Sequence, residues 1–258
     1  KILGFIIELI LCCCGVHSAD RRLYAPPWPT TDMSDTAERA VLAERAAQAG
    51  ARVAADAFRT DIPVEAKGED DVVTEADRAA QRTVIEVIRE SFPNDAVVGE
   101  EADVSKRVPA DGPAWIVDPI DGTNNFVRGD RNWATSVACL VDGNPVAAAN
   151  ILPALGDSYV GTPEGVTLND DPVSVSSRSD PERFAVTPTI WWEFDRREEY
   201  AAVLEAIVSR FGDLRRVGSA QASLSLLAGG TYEGVFTTVD APAWDTVAGA
   251  ALVRWAGG

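Results

Sequence analysis

The stretch Trp115-Ile116-Val117-Asp118-Pro119-Ile120-Asp121-Gly122-Thr123-Asn124-Asn125 decides how this chain is read. Its opening, Ala114 to Val117, is an apolar run of strand length. Asp118 therefore stands at a strand's carboxyl end, where ligand sites of α/β sheets gather. Pro119 and Gly122 then impose a tight turn. Inside it, two carboxylates, the Ile120 carbonyl and the N–H groups of Gly122 and Thr123 share one small space. Hard cations such as Mg2+ take the oxygens, and a phosphate takes N–H groups together with a metal. An Asp-rich surface turn uses the same residues with no ligand at all, and the segment alone does not separate the two readings.

Other chemistries fit these residues poorly. An EF-hand loop starting at Asp118 needs oxygen ligands at 120 and 122 and a glutamate at 129, but those positions hold Ile120, Gly122 and Gly129. A phosphatase of the haloacid dehalogenase type spaces its aspartates D-x-D and uses a lysine further along the chain. The lysines here are Lys1, Lys67 and Lys106, all upstream. The one histidine, His17, lies in an atypical N-terminal segment, so the domain is expected to work with carboxylates, hydroxyls and a metal.

The chain has 258 residues, 46% of them hydrophobic, enough to bury a sizeable core as one domain or two closely packed lobes. Forty acidic residues against 23 Lys plus Arg give a net charge of −17, a surface that repels nucleic acid and anionic membranes, so neither is an expected partner. Abundant acid with little lysine resembles proteins of salt-loving organisms, in which high ionic strength screens self-repulsion. Residues 1–32 read differently from the rest: an apolar Leu3–Val16 stretch ends in Cys12-Cys13-Cys14 and is followed by His17-Ser18-Ala19. They are expected to be upstream sequence, with a signal peptide as the alternative, and Met33 the natural start. Beyond them Cys139 is the single cysteine, which favours a cytoplasmic protein without disulfides.

From Met33 on, helical and strand patterns alternate. Helices are predicted over Ser34–Phe58, with Asp35 and Glu38 as a capping box, and over Arg78–Phe92. Strands are predicted at Ala96–Val98, Ala114–Val117, Thr135–Val141 and Val146–Ile151, the last two joined by an Asp142-Gly143 hairpin, then at Tyr159-Val160 and Val173–Val175. Next come strand Phe184–Val186, helix Arg196–Phe211, strand Arg215–Val217, helix Ala220–Leu227, strand Gly234–Thr237 and a helix from about Trp244. A boundary between a first lobe (about 34–165) and a second (about 180–258) falls near 152–182. Thr74 and Asp77 have capping-box spacing, Gly99-Glu100-Glu101 follows a short strand, and Asp245 opens the last helix. Each is, taken singly, an ordinary cap, acidic turn or dipole-compensating residue.

Together these motifs resemble the inositol monophosphatase family, which also covers archaeal-type fructose-1,6-bisphosphatases and related lithium-sensitive phosphatases. The resemblance runs through D-V-V-T-E-A-D at 71–77, V-G-E-E at 98–101, W-I-V-D-P-I-D-G-T-N-N-F at 115–126, G-S-A at 218–220 and W-D-T-V-A-G-A at 244–250. It implies a mixed α+β fold, a layered αβαβα sandwich, and Mg2+-dependent hydrolysis of a small phosphate monoester. It further implies two or three Mg2+ ions, with Glu100, Asp118 and the Ile120 carbonyl on the first and Asp118, Asp121 and Asp245 on the second. Thr123, bonded to Asp77, would activate the attacking water, with Glu100 also part of the catalytic set. Gly122, Thr123, Asp121 and Asp245 would meet the phosphate, and Lys67 stands where the family often has a lysine near a metal loop.

Two departures stand out. Many inositol-specific members carry a glutamate seven residues before the last metal-binding aspartate, where this chain has Thr238, so a sugar bisphosphate becomes a substrate to weigh beside inositol monophosphate; fructose 1,6-bisphosphate and 3′-phosphoadenosine 5′-phosphate are the alternatives. The chain also stops at Gly258, where family members continue through a further strand and helix, so a truncated C-terminus is expected. A homodimer is expected, and a catalytically inactive binding module of the same fold is the non-enzymatic alternative.

Overall fold

The computed structural model describes residues 33–61, 64–66, 72–101, 104–190 and 192–258. The expectations for residues 1–32 and for Lys67 fall outside these residues. Helix α1 (Met33–Ala57) and helix α2 (Glu75–Ser91) form the first layer, with the hairpin strands β1 (Val64–Ala66) and β2 (Val72–Thr74) between them. The stripe Leu42, Ala43, Ala46, Ala47, Ala51 and Ala54 is buried at helical spacing, and its small side chains let α1 lie close to its neighbours. Asp35 sits inside the first turn of α1 rather than capping it, because the helix already begins at Met33 and the carboxylate accepts from Arg39 one turn on, at 3.0 Å.

The second layer is a seven-stranded sheet in the sequential order β3 to β9, made of Ala96–Gly99, Pro113–Asp121, Ala134–Val141, Asn144–Leu152, Asp157–Thr162, Gly165–Leu168 and Asp171–Val173. Only β3 and β4 pair in parallel, and the rest is an antiparallel meander. At the predicted hairpin, Asp142 and Gly143 have φ of 51° and 74°, the left-handed pair that two-residue turns require. Strand β4 is buried on both faces, which is why it reads as a continuous apolar run. Trp115 and Val117 pack on α1 and α2, whereas Ile116 faces the opposite layer.

That opposite layer comprises helices α5 (Ala220–Ala228) and α6 (Ala243–Trp255), whose Ala222, Ala228, Ala248 and Leu252 close on Ile116, Ala138 and Ala148. A short helix α3 (Thr123–Val127) follows β4, and helix α4 (Arg197–Val208) precedes the second sheet's edge strand. This second sheet is parallel, in the order β11 (Asp213–Leu214), β10 (Ala185–Pro188), β12 (Gly234–Phe236). Val203 and Ile207 of α4 pack with Val186 and Phe236 on its outer side, which completes the αβαβα order of layers. Strand β11 lies before the predicted Arg215–Val217, since Asp213 and Leu214 are the residues in register with Ala185 and Val186. Among the described residues no helix is long and apolar enough to cross a membrane.

Candidate metal and phosphate site

Strand β4 does not stop at Pro119. It continues to Asp121 with a shift of register between Asp118 and Asp121, and the freed Pro119 carbonyl accepts from Thr135 Oγ1 at 2.8 Å. Proline has no N–H to give the ladder, so it fits where the ladder is interrupted, and the irregularity turns the Asp121 side chain toward α5. The turn itself comes at Gly122, with φ 91°. A Cβ there would meet Ser219 Cβ at 3.0 Å and the Asn132 carbonyl at 3.2 Å, so both backbone conformation and space require glycine.

Asp118 and Asp121 are both buried, but their environments differ. Asp121 accepts from the Ser219 hydroxyl and from the Gln221 N–H at 2.6 Å, at the amino end of α5, where Ser219 is also the cap, accepting from Ala222 N at 3.1 Å. Burial pushes its carboxyl up, and those donors oppose the rise. Both oxygens of Asp118 are buried with no hydrogen-bond partner among the described residues. Burial, first, and then the charges of Glu100, Asp121, Asp245 and Asp77 hold its carboxyl well above the ordinary 3.8. Asp118, Asp121 and Asp245, the last from the first turn of α6, bring one carboxylate oxygen each to within 4.8 Å of one another.

A buried carboxylate without a donor, ringed by other acids, is costly unless a cation joins it. The donor set is all oxygen, which suits a hard divalent ion such as Mg2+ rather than a thiolate- or imidazole-seeking metal. The residues present therefore fit the ion that the sequence implied.

Beside the acids lies the second predicted pair. Asp77 is wholly buried; one oxygen accepts from Thr74 N at 2.8 Å and Thr74 Oγ1 at 2.5 Å, the other from Thr123 Oγ1 at 3.2 Å. It is thus a capping-box residue of α2 and a partner of Thr123 together. Thr123 Oγ1 also lies 3.0 Å from the Ile120 carbonyl, so its one proton is shared between two acceptors. Gly122 and Thr123 open α3, where the first N–H groups of a helix lack intrahelical partners. The structure brings Asp77, Glu100, Asp118, Ile120, Asp121, Gly122, Thr123 and Asp245 to one place.

Three residues that carry this place were not singled out from sequence. Gln221, wholly buried, ties Asp121 to α6: its amide donates to the Trp244 carbonyl at 2.6 Å and accepts from Gly249 N at 2.8 Å. Gln81 accepts from Glu101 N at 2.9 Å and so sets the Glu100 turn from α2. Ser219 lies in the G-S-A motif, and a serine directly before an apolar helical run is a readable cap signal.

The site is thus an oxygen-only acid cluster at the carboxyl end of a strand, backed by a Thr/Asp pair and helix starts. The chain belongs to the inositol monophosphatase family, whose profile matches residues 35–258. It is similar to an inositol-1-monophosphatase of Rhizobium meliloti, 36% identical over 202 residues, or 76% of this chain and 74% of that one. It is also 32% identical over 221 residues to the Nus factor SuhB of Pasteurella multocida, covering 84% of this chain and 82% of that protein. Among solved structures, the inositol monophosphatase of Anabaena (Nostoc) sp. PCC 7120 superposes with a TM-score of 0.73 at 26% identity, over 86% of this chain and 82% of that one.

Proposed function

We propose that this protein hydrolyses a small phosphate monoester, an inositol or sugar phosphate, with Mg2+ held by Glu100, Asp118, the Ile120 carbonyl, Asp121 and Asp245. The observation that carries the reading is the buried Asp118 carboxylate, which has no donor of its own and is faced by acids. When bound, Mg2+ supplies positive charge that makes water a better nucleophile and offsets charge on the phosphate oxygens. The protein's own residues do the rest. Thr123 takes a proton from the attacking water as it passes its own to the Asp77 oxygen that faces it, since the other Asp77 oxygen is engaged by Thr74, and Asp77 later returns that proton to solvent. The water oxygen forms the new P–O bond, the bond to the leaving alcohol breaks, and the alcohol oxygen is protonated from solvent. N–H groups of Gly122 and Thr123 meet the phosphate oxygens.

At the position where many inositol-specific members carry a glutamate, Thr238 donates to Glu199, which also receives Arg196 Nε at 2.9 Å. These contacts, Thr238 foremost, hold the Glu199 carboxyl below its ordinary value, so an ionised carboxylate stands beside position 238. A carboxylate there supports recognition of a polyol's hydroxyls. The acid-rich composition supports working at high ionic strength, and the buried free thiol of Cys139 supports a cytoplasmic setting. A phosphate-release panel over inositol, sugar and nucleotide phosphates, with Mg2+ or with EDTA, tests the reading. Mg2+-dependent release from a polyol phosphate is the expected result. No release from any ester would overturn it and leave a catalytically inactive binding module of the same fold.

A further inference from the structure

Lys106 lies outside every motif that pointed to the site, yet its ammonium is bound to the site's framework. Nζ donates to the carbonyls of Gly99 at 2.7 Å and Glu101 at 2.7 Å and also to that of Glu100. It further stands 5.2 Å from the ring centre of Trp244. An ammonium has three N–H donors, and here three consecutive carbonyls converge on it. Convergence sets the oxygen ends of three dipoles against one another, so the turn holds this shape only around a positive charge. The turn carries Glu100, and Trp244 directly precedes Asp245. The same cation thus grips the segments from which two acids approach Asp118, and both acids act on Asp118 electrostatically.

We propose that Lys106 is a positioning residue of the metal centre: a built-in cation that fixes the Gly99–Glu101 turn and anchors it to Trp244, so that Glu100 and Asp245 are each held ready to share a bound ion with Asp118. This rests on the metal-site reading above. Lys106 touches neither phosphate nor water in this scheme, and its contribution is to metal affinity rather than to the chemical step. The supports around metal ligands commonly govern affinity by about 10- to 100-fold.

The test uses Mn2+ as the probe, its free fraction read by electron paramagnetic resonance, on the whole chain as wild type, Lys106→Met and Lys106→Ala. Both variants should bind Mn2+ about tenfold more weakly than wild type. In turnover at saturating metal, kcat should remain close to wild type while the metal concentration for half-maximal rate rises. Propylammonium, which replaces the atoms that Lys106→Ala removes, should restore most of the lost affinity in that variant. It should leave Lys106→Met unchanged, because the methionine side chain fills the space. The rescue is scored within one protein sample, so a general loss of structure does not imitate it. Affinities equal to wild type in both variants, or no response of Lys106→Ala to propylammonium, would overturn the role of Lys106. A wild type that binds no Mn2+ would instead overturn the metal-site reading itself.

Discussion

Each end of β4 has an acid packed against it, and among the described residues only one of the two has a counter-charge. Near Trp115, Asp95 receives Arg39 Nη1 at 2.8 Å and the Trp115 indole N–H at 2.9 Å. Arg39 is itself 6% exposed, bonds Asp35, and lies 4.2 Å from the centre of the Phe92 ring. At the far end Asp118 has no donor, and the groups acting most strongly on its charge are all acids. Both arrangements hold charge against the same strand, largely out of water. The first is complete within the chain and serves the fold, whereas the second becomes favourable only when a cation arrives from outside. Buried charge by itself therefore does not mark a function; an unmatched one does.

The largest effect should come from Asp118→Asn at the unmatched end. Mg2+-dependent turnover is expected to fall at least about 1,000-fold, on the order of 4 kcal/mol in barrier height, because the carboxylate at the centre of the proposed metal site is lost. The fold should survive. Without metal the variant should melt higher than wild type, since an acid crowded by acids has become neutral. Turnover near wild type in this variant would erase the distinction between the two ends.

At the matched end the signs reverse. Arg39→Met should destabilise by about 2 to 3 kcal/mol, because it leaves the largely shielded Asp95 carboxylate beside Trp115 without its cation. At temperatures where the variant is folded, kcat and the Mg2+ requirement should match wild type. A denaturant melt and a steady-state assay on one preparation check both halves. A rise in the Mg2+ requirement would show that the two ends are coupled through the sheet.

Asp77 lies between these extremes, holding a helix start and facing Thr123 together. Asp77→Asn should lower kcat by about 100-fold. It should also cost about 1 to 2 kcal/mol of stability, because one of the buried donors on Thr74 loses its acceptor. Stability lost without rate would return Asp77 to a capping residue only.

Much of this contrast was legible in the sequence. The apolar run before Asp118, the D-P-I-D-G-T turn, the Thr74/Asp77 spacing and the Asp142-Gly143 hairpin each rest on a local rule and stand where that rule puts them. The readings that differed depend on distant partners. The strand reads as ending at Val117 with Pro119 in a turn, but β5 receives the Pro119 carbonyl through Thr135 and the strand runs on to Asp121. Asp35 has a capping residue's chemistry, but the helix starts earlier and Arg39 claims it. Lys106 and Gln221 carry no motif, since what they hold together comes from segments far apart in the chain. Sequence shows which acids are present; only the fold shows which of them lack a partner.

The smallest expected effect concerns pH. Burial raises both Asp118 and Asp121 above the ordinary 3.8 in the metal-free protein. A carboxyl whose folded pKa is raised keeps a proton that the unfolded chain has already released. Its contribution to stability is therefore greatest at low pH and is lost as pH climbs from the unfolded value through the raised folded one. Mg2+ reverses the trend, because it binds the ionised carboxylates and displaces those protons. The stabilisation by saturating Mg2+, measured as the difference between melts with Mg2+ and with EDTA, should thus grow between about pH 5 and pH 8, by on the order of 1 kcal/mol. Asp118→Asn should flatten that growth, since the group with the strongest rise is gone. Arg39→Met should retain it, because its defect lies at the other end of β4. A Mg2+ effect of equal size at both pH values would mean that the ion does not compete with protons for Asp118, and the unmatched end would need another occupant.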